Sequence, residues 1–171
     1  CSCLVASSVY LSNDLLDLES DRLHSTKKTR PLAAGTLPIQ TAMVAAIVLL
    51  LAAFALAHLQ TKEFVIIILG YWMLAVLYSM LLKRLFLLDL VTLASLYSLR
   101  IEAGAQAAQV IASFWLLGFT MTLFFGLAAL KRVVELSKST HAAALPGRAY
   151  TRGDLTALTA QGMLACACSV L

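Results

Sequence analysis

Asn13-Asp14-Leu15-Leu16-Asp17-Leu18-Glu19-Ser20-Asp21-Arg22, followed by Lys27-Lys28-Thr29-Arg30-Pro31, interrupts two apolar runs in a 171-residue chain that is 61% hydrophobic. At about 100° per residue on a helix, Asp14, Asp17 and Asp21 fall within roughly 60° of one another. Asn13 widens that arc to about 100°, still one face. A solvated connection would show no particular spacing, yet every acid here except Glu19 lies on one stripe. Converging carboxylates repel unless a cation neutralises them. Oxygen-only ligands select a hard cation, and Mg²⁺ is commonly held by one or two carboxylates plus substrate phosphates. The bases that follow suit those phosphates, so the stretch reads as a metal-diphosphate site at a membrane surface.

Composition sets the surroundings. Charged residues make up only 13% of the chain and mean hydropathy is +0.88, which excludes an ordinary soluble domain. Several apolar runs approach the roughly 20 residues that span a bilayer as helix. The fold class is therefore an all-α polytopic membrane protein. Residues 1–12 read as the end of a membrane helix, which the acidic motif continues at the water interface. Complete spans are expected at 39–59, 64–82, 88–109 and 113–130. A longer polar segment is expected at 131–153, and a further span from Leu155. Because both ends lie inside apolar runs, the sequence reads as a fragment. Cys1, Cys3, Cys166 and Cys168 have no polar company and read as small packing residues.

Counting Lys and Arg by loop gives an orientation. Arg22, Lys27, Lys28, Arg30, Lys83, Arg84, Lys131, Arg132, Lys138, Arg148 and Arg152 fall on one side, and only Lys62 on the other. The crowded side is expected to be cytoplasmic. Within the spans, Asp89, Arg100 and Glu102 each need a partner or a wet cavity. Asp89 reads as a second metal ligand or as an acid paired with Lys83 or Arg84. Arg100 lies eleven residues deeper, about 16 Å along a helix, and is open to snorkelling, pairing or a phosphate contact. Lys83 offers a point charge to a phosphate and Tyr78 a hydrogen bond, although both residues also serve as interfacial anchors. Lys131, Arg132 and Glu135 form another charge cluster. His24 can touch phosphate, whereas His58 and His141 have no metal-ligand company.

These residues are similar to a known family. Asn13-Asp14-x-x-Asp17-x-x-x-Asp21, with the following Lys-x-x-Arg-Pro-x-Ala-x-Gly, resembles the first motif of the UbiA superfamily of intramembrane prenyltransferases. Tyr78-Ser79-Met80-Leu81-Leu82-Lys83-Arg84, Asp89 and Leu99-Arg100-x-x-Ala103-Gly104 look like the branch containing decaprenyl-phosphate phosphoribosyltransferase. So do Phe114-Trp115-Leu116-Leu117, Lys131-Arg132-x-x-Glu135-Leu136, and Gly147-Arg148-x-Tyr150 ahead of Asp154. UbiA domains fused to haloacid-dehalogenase-like domains carry similar strings. The resemblance implies a helix bundle around a central cavity, with residues 1–171 running from about the second helix to the seventh. It implies that Asn13, Asp14, Asp17 and Asp21 hold Mg²⁺ and a diphosphate, that Lys27, Lys28 and Arg30 neutralise it, and that Asp89 serves as the second acidic motif.

Two departures stand out. Aromatic-prenylating members usually pair two aspartates four apart, whereas Leu93 follows Asp89 at that distance. The commoner His-Pro is His24-Ser25 here. The first departure favours transfer of phosphoribosyl from phosphoribosyl diphosphate to a polyprenyl phosphate in the inner membrane. The alternative is prenyl transfer from a polyprenyl diphosphate to an aromatic or other acceptor. Outside enzymology, the rival is a membrane transporter or scaffold, but no inverted repeat of the kind transporters carry is visible. Nothing in the pattern points to nucleic acid.

Overall fold

The computed structural model describes residues 1–23, 27–138 and 150–170. His24, His141, Gly147 and Arg148, singled out above, lie outside the described residues. Among the described residues seven α-helices follow in order: α1 (Ser2–Leu16), α2 (Leu18–Leu23), α3 (Ile39–Ala57), α4 (Lys62–Met80), α5 (Leu88–Ala107), α6 (Phe114–Lys138) and α7 (Leu155–Val170). The chain divides into two compact units, Cys1–Trp72 and Met73–Leu171.

In the first unit α1 packs on α3. Ala42, Ala46, Ala53 and Ala57 are buried, while Met43, Val44, Ile47, Val48 and Leu51 point outward. Small residues inside and large apolar ones outside suit a helix whose outer face meets lipid, because close backbone approach replaces hydrophobic burial as the packing force. The closeness is used directly: the Ser8 hydroxyl donates to the Ala46 carbonyl at 2.7 Å. Phe54 meets Trp72 edge to face at 6.4 Å, joining α3 to α4.

In the second unit α6 packs on both α5 and α7. The core is Leu90, Ala128, Ala129, Leu136, Tyr150 and Leu158. Gly126 and Gly162 bring α6 and α7 together: a Cβ on Gly126 would lie 2.5 Å from Cys166 Sγ and 3.1 Å from the Gly162 carbonyl oxygen. Between α5 and α6, the Ser98 and Thr120 hydroxyls share a hydrogen bond at 3.3 Å. Tyr97 stacks on Phe124 at 4.5 Å.

The element boundaries correct the sequence reading in two places. The acidic stretch does not continue α1 without a break, since Asp17 caps it with φ −93° and ψ 8° before α2 begins. The polar segment expected from residue 131 starts later, because α6 carries Lys131, Arg132 and Glu135 on its last turns. Among the described residues, three helices are long and apolar enough to cross a membrane: α3, α4 and residues 114–137 of α6. α5 is expected to span as well, but Asp89, Arg100 and Glu102 lower its apolar content.

Candidate functional site

The acidic stretch keeps its face through the cap at Asp17. The Asp17 amide donates to the Asn13 carbonyl and the Asp21 amide to the Asp17 carbonyl, both at 2.8 Å, so helical bonding runs across the break. As a result Asp14 and Asp21, seven residues apart, meet at one atom. Arg30 Nη1 donates to Asp14 Oδ1 at 2.8 Å and to Asp21 Oδ2 at 2.7 Å. Lys27 Nζ lies 3.7 Å from the other Asp21 oxygen. Asp21 is 2% exposed. A buried carboxylate of this kind is tolerated only because cations stand on both its oxygens.

The segment holding Arg30 is built rather than slack. Lys27–Thr29 is a 3₁₀ turn. The Arg30 amide donates to the Lys27 carbonyl at 3.0 Å, and its carbonyl accepts from the Ala34 amide at 2.8 Å. Gly35 closes the turn with φ 77°, a conformation that favours glycine. Leu32 plugs it at 3% exposure. Asn13 and Asp17 are half-buried, whereas Arg22, Lys27 and Lys28 are exposed.

The second unit holds a different assembly. Asp89, on the first turn of α5, is fully buried. Its partner is Arg132 of α6, through Nε to Oδ2 at 2.6 Å and Nη2 to Oδ1 at 3.2 Å. The Tyr78 hydroxyl at the end of α4 donates to Asp89 Oδ1 at 2.8 Å. Arg132 Nη1 donates to Glu135 Oε2 at 2.8 Å. Arg132 therefore offers its guanidinium to protein carboxylates on three nitrogens, a closed arrangement rather than a phosphate receptor. The sequence places Glu135 in a charge cluster with Lys131 and Arg132, and its spacing of three from Arg132 on one helix matches this contact. Just before Asp89, Leu87 has φ 64° and ψ −41°, and the Leu88 amide donates to the Phe86 carbonyl at 2.8 Å. That is a γ-turn of the strained kind, and it sets Asp89 at the helix start.

Lys83 is half-buried in the 3₁₀ turn Leu82–Arg84, and Lys131 is exposed. The Arg100 guanidinium lies over the Tyr97 ring, 5.4 Å from its centroid. The Asp154 carboxylate accepts from the Thr151 amide and hydroxyl, each at 2.8 Å. Those donors, the amide first, hold its carboxyl below the usual carboxylate range.

Among the described residues, no three of His, Cys, Asp and Glu converge as a ready metal cluster. The acidic stretch nevertheless fits Mg²⁺. Two carboxylates already share one cationic atom, and this ion commonly takes one or two carboxylates and completes its shell with water and phosphate. Asp89 fits less well, since both of its oxygens are engaged by Arg132.

Comparison with known proteins supplies the wider setting. The model of the UbiA prenyltransferase family matches residues 1–171. An uncharacterised protein of Sinorhizobium fredii is 34% identical over 170 residues, covering 98% of this chain and 33% of that protein. A decaprenyl-phosphate phosphoribosyltransferase of Mycolicibacterium smegmatis is 37% identical over 137 residues, covering 78% of this chain and 42% of that protein. A solved UbiA homologue from Archaeoglobus fulgidus, bound to DMAPP and Mg²⁺, shares the fold with a TM-score of 0.74 at 17% identity, over 98% of this chain and 62% of that one. The chain thus spans less than half the length of these two curated relatives.

Proposed function

The chain belongs to the UbiA prenyltransferase family, an α-helical membrane bundle, and from that premise we propose that it is part of a Mg²⁺-dependent transferase acting on a polyprenyl substrate. The reaction proposed is transfer of phosphoribosyl from phosphoribosyl diphosphate to a polyprenyl phosphate, with release of diphosphate. The observation that carries this reading is the meeting of Asp14 and Asp21 at a single cationic atom. The 37% identity to a decaprenyl-phosphate phosphoribosyltransferase supports the choice of donor, as does Leu93 standing four residues after Asp89.

In this proposal Asn13, Asp14, Asp17 and Asp21 hold the metal, which when bound supplies Lewis-acid stabilisation of charge building on the leaving diphosphate. Arg22, Lys27, Lys28 and Arg30 bind and orient the diphosphate oxygens, and their positive charge favours the departing anion. Lys83 and Lys131 are proposed to contact phosphate. Arg100 is assigned to the apolar part of the bundle, against Tyr97. Asp89, Tyr78 and Arg132 are assigned a positioning role, holding the ends of α4, α5 and α6 in register. The acceptor phosphate is already anionic, so the chain need not deprotonate it. We place the site at the cytoplasmic face, where a polar donor and a lipid acceptor can meet.

The test uses the intact protein in membranes with Mg²⁺, phosphoribosyl diphosphate labelled in the ribose, and polyprenyl phosphate. Label entering the lipid phase, and failing to do so with Asp17→Asn, is the expected result. Metal-dependent release of diphosphate from a polyprenyl diphosphate, with no ribosyl transfer, would instead place the protein with the prenyl-transferring members.

A further inference from the structure

We infer that Arg30 is an exchangeable counter-ion, occupying the metal position between Asp14 and Asp21 and handing it over when a divalent cation enters. This rests on the metal-diphosphate reading above and adds a competition within it. Arg30 Nη1 sits 2.8 Å from Asp14 Oδ1 and 2.7 Å from Asp21 Oδ2, the point that a cation bridging those oxygens would take. The two cannot be there together.

Burial decides which partner moves. The Asp21 side chain is 3% exposed and that of Asp14 32%, whereas the Arg30 side chain is 42% exposed. The Arg30 backbone is fixed on both sides by hydrogen bonds to Lys27 and Ala34. Only its side chain has room to swing. A buried carboxylate such as Asp21 is costly without a counter-charge, so the guanidinium leaves as the metal arrives rather than before it.

Charge gives the exchange a direction. Asp14, Asp17 and Asp21 carry three negative charges in this stretch, against two positive charges on Arg30 and Lys27. A divalent cation taking the place of Nη1 offsets the three acids together with Lys27, and it releases a planar, multi-donor group suited to phosphate oxygens. Metal entry thereby creates the receptor for the diphosphate. Arg30 partly neutralises the acids beforehand and binds the leaving group afterwards.

The test is metal binding with no substrate present, using Mn²⁺ as the paramagnetic probe on the intact protein in lipid nanodiscs. Arg30→Gln removes the competitor and is expected to bind Mn²⁺ roughly threefold to tenfold more tightly than the unsubstituted protein, on the scale of a part-exposed ion pair. Arg30→Lys retains a weaker competitor and is expected to fall between the two, which keeps the test open if the glutamine variant folds poorly. Equal or weaker binding by either variant overturns the exchange. Asp21→Asn separates this from the underlying reading. If it binds Mn²⁺ as the unsubstituted protein does, the metal site itself is wrong. If it weakens binding while Arg30→Gln changes nothing, the site stands and the exchange falls.

Discussion

The two acid–arginine assemblies share their chemistry and differ in everything that decides how it is used. In the first unit, Asp14, Asp21, Lys27 and Arg30 lie within one short stretch, and the cations are borne on an exposed turn with side chains 42–45% exposed. In the second, Asp89 and Arg132 come from different helices 43 residues apart, and both side chains are essentially buried. A pair whose cation is exposed contributes modestly and can exchange that cation. A buried pair is costly to break because the partner left behind is an unpaired charge in an apolar medium. The first assembly is therefore suited to ligand exchange and the second to holding helices in place.

The largest effect is expected from breaking the second assembly. Arg132→Ala should cost about 3–5 kcal/mol of stability by stranding Asp89, read by thermal or denaturant unfolding in detergent. Replacing both partners with apolar residues of similar volume, Asp89→Leu with Arg132→Met, should recover most of that loss. A double variant no better than the single one would break the comparison. Next comes the support of α6. Gly126→Val places a branched side chain against Cys166 and the Gly162 backbone and should destabilise by about 1–3 kcal/mol through overpacking.

Smaller still is Arg30→Ala, expected to change stability by about 1 kcal/mol or less, because Lys27 remains beside Asp21. A loss as large as that of Arg132→Ala would make the first assembly structural after all. The smallest effect is confined to the start of α7. The Asp154 carboxyl is held below its ordinary range by the Thr151 amide and hydroxyl. That link is fully present above the unfolded carboxylate pKa and is lost as pH falls through the lowered folded value. Hydrogen exchange at the Thr151 amide, relative to its intrinsic rate, should lose protection only on that acid side, and Asp154→Asn should remove the pH dependence.

The sequence made the first assembly readable because its geometry is local. Asp14, Asp17 and Asp21 share a face by spacing alone, and the bases follow within a few residues. What spacing left open was the partner of each acid. Arg30 occupies the place at which a metal was expected, a contact that depends on how the turn at Pro31–Leu37 folds back. The second assembly was legible only as a need. Asp89 and Arg132 each required a partner, and sequence proximity pointed Asp89 to Lys83 or Arg84. Long-range pairing is not encoded in local periodicity, and the sequence pattern alone puts Arg132 in a polar segment. The same contact explains the length of α6: once Asp89 neutralises Arg132, the helix can carry that charge in its interior. The strained turn at Leu87 had no glycine to announce it.

The most direct measurement sets the two assemblies against each other in one transfer assay. Intact protein in membranes would be given Mg²⁺, labelled phosphoribosyl diphosphate and polyprenyl phosphate. Asp21→Asn should lose about 100-fold or more of the transfer to lipid, since it removes a proposed ligand to the metal proposed to hold the diphosphate, while its unfolding temperature stays close to that of the unsubstituted protein. The Asp89→Leu, Arg132→Met pair should keep transfer within about tenfold, since it replaces a support rather than a reacting group. Full transfer by Asp21→Asn, or its loss only in the paired variant, would contradict the account.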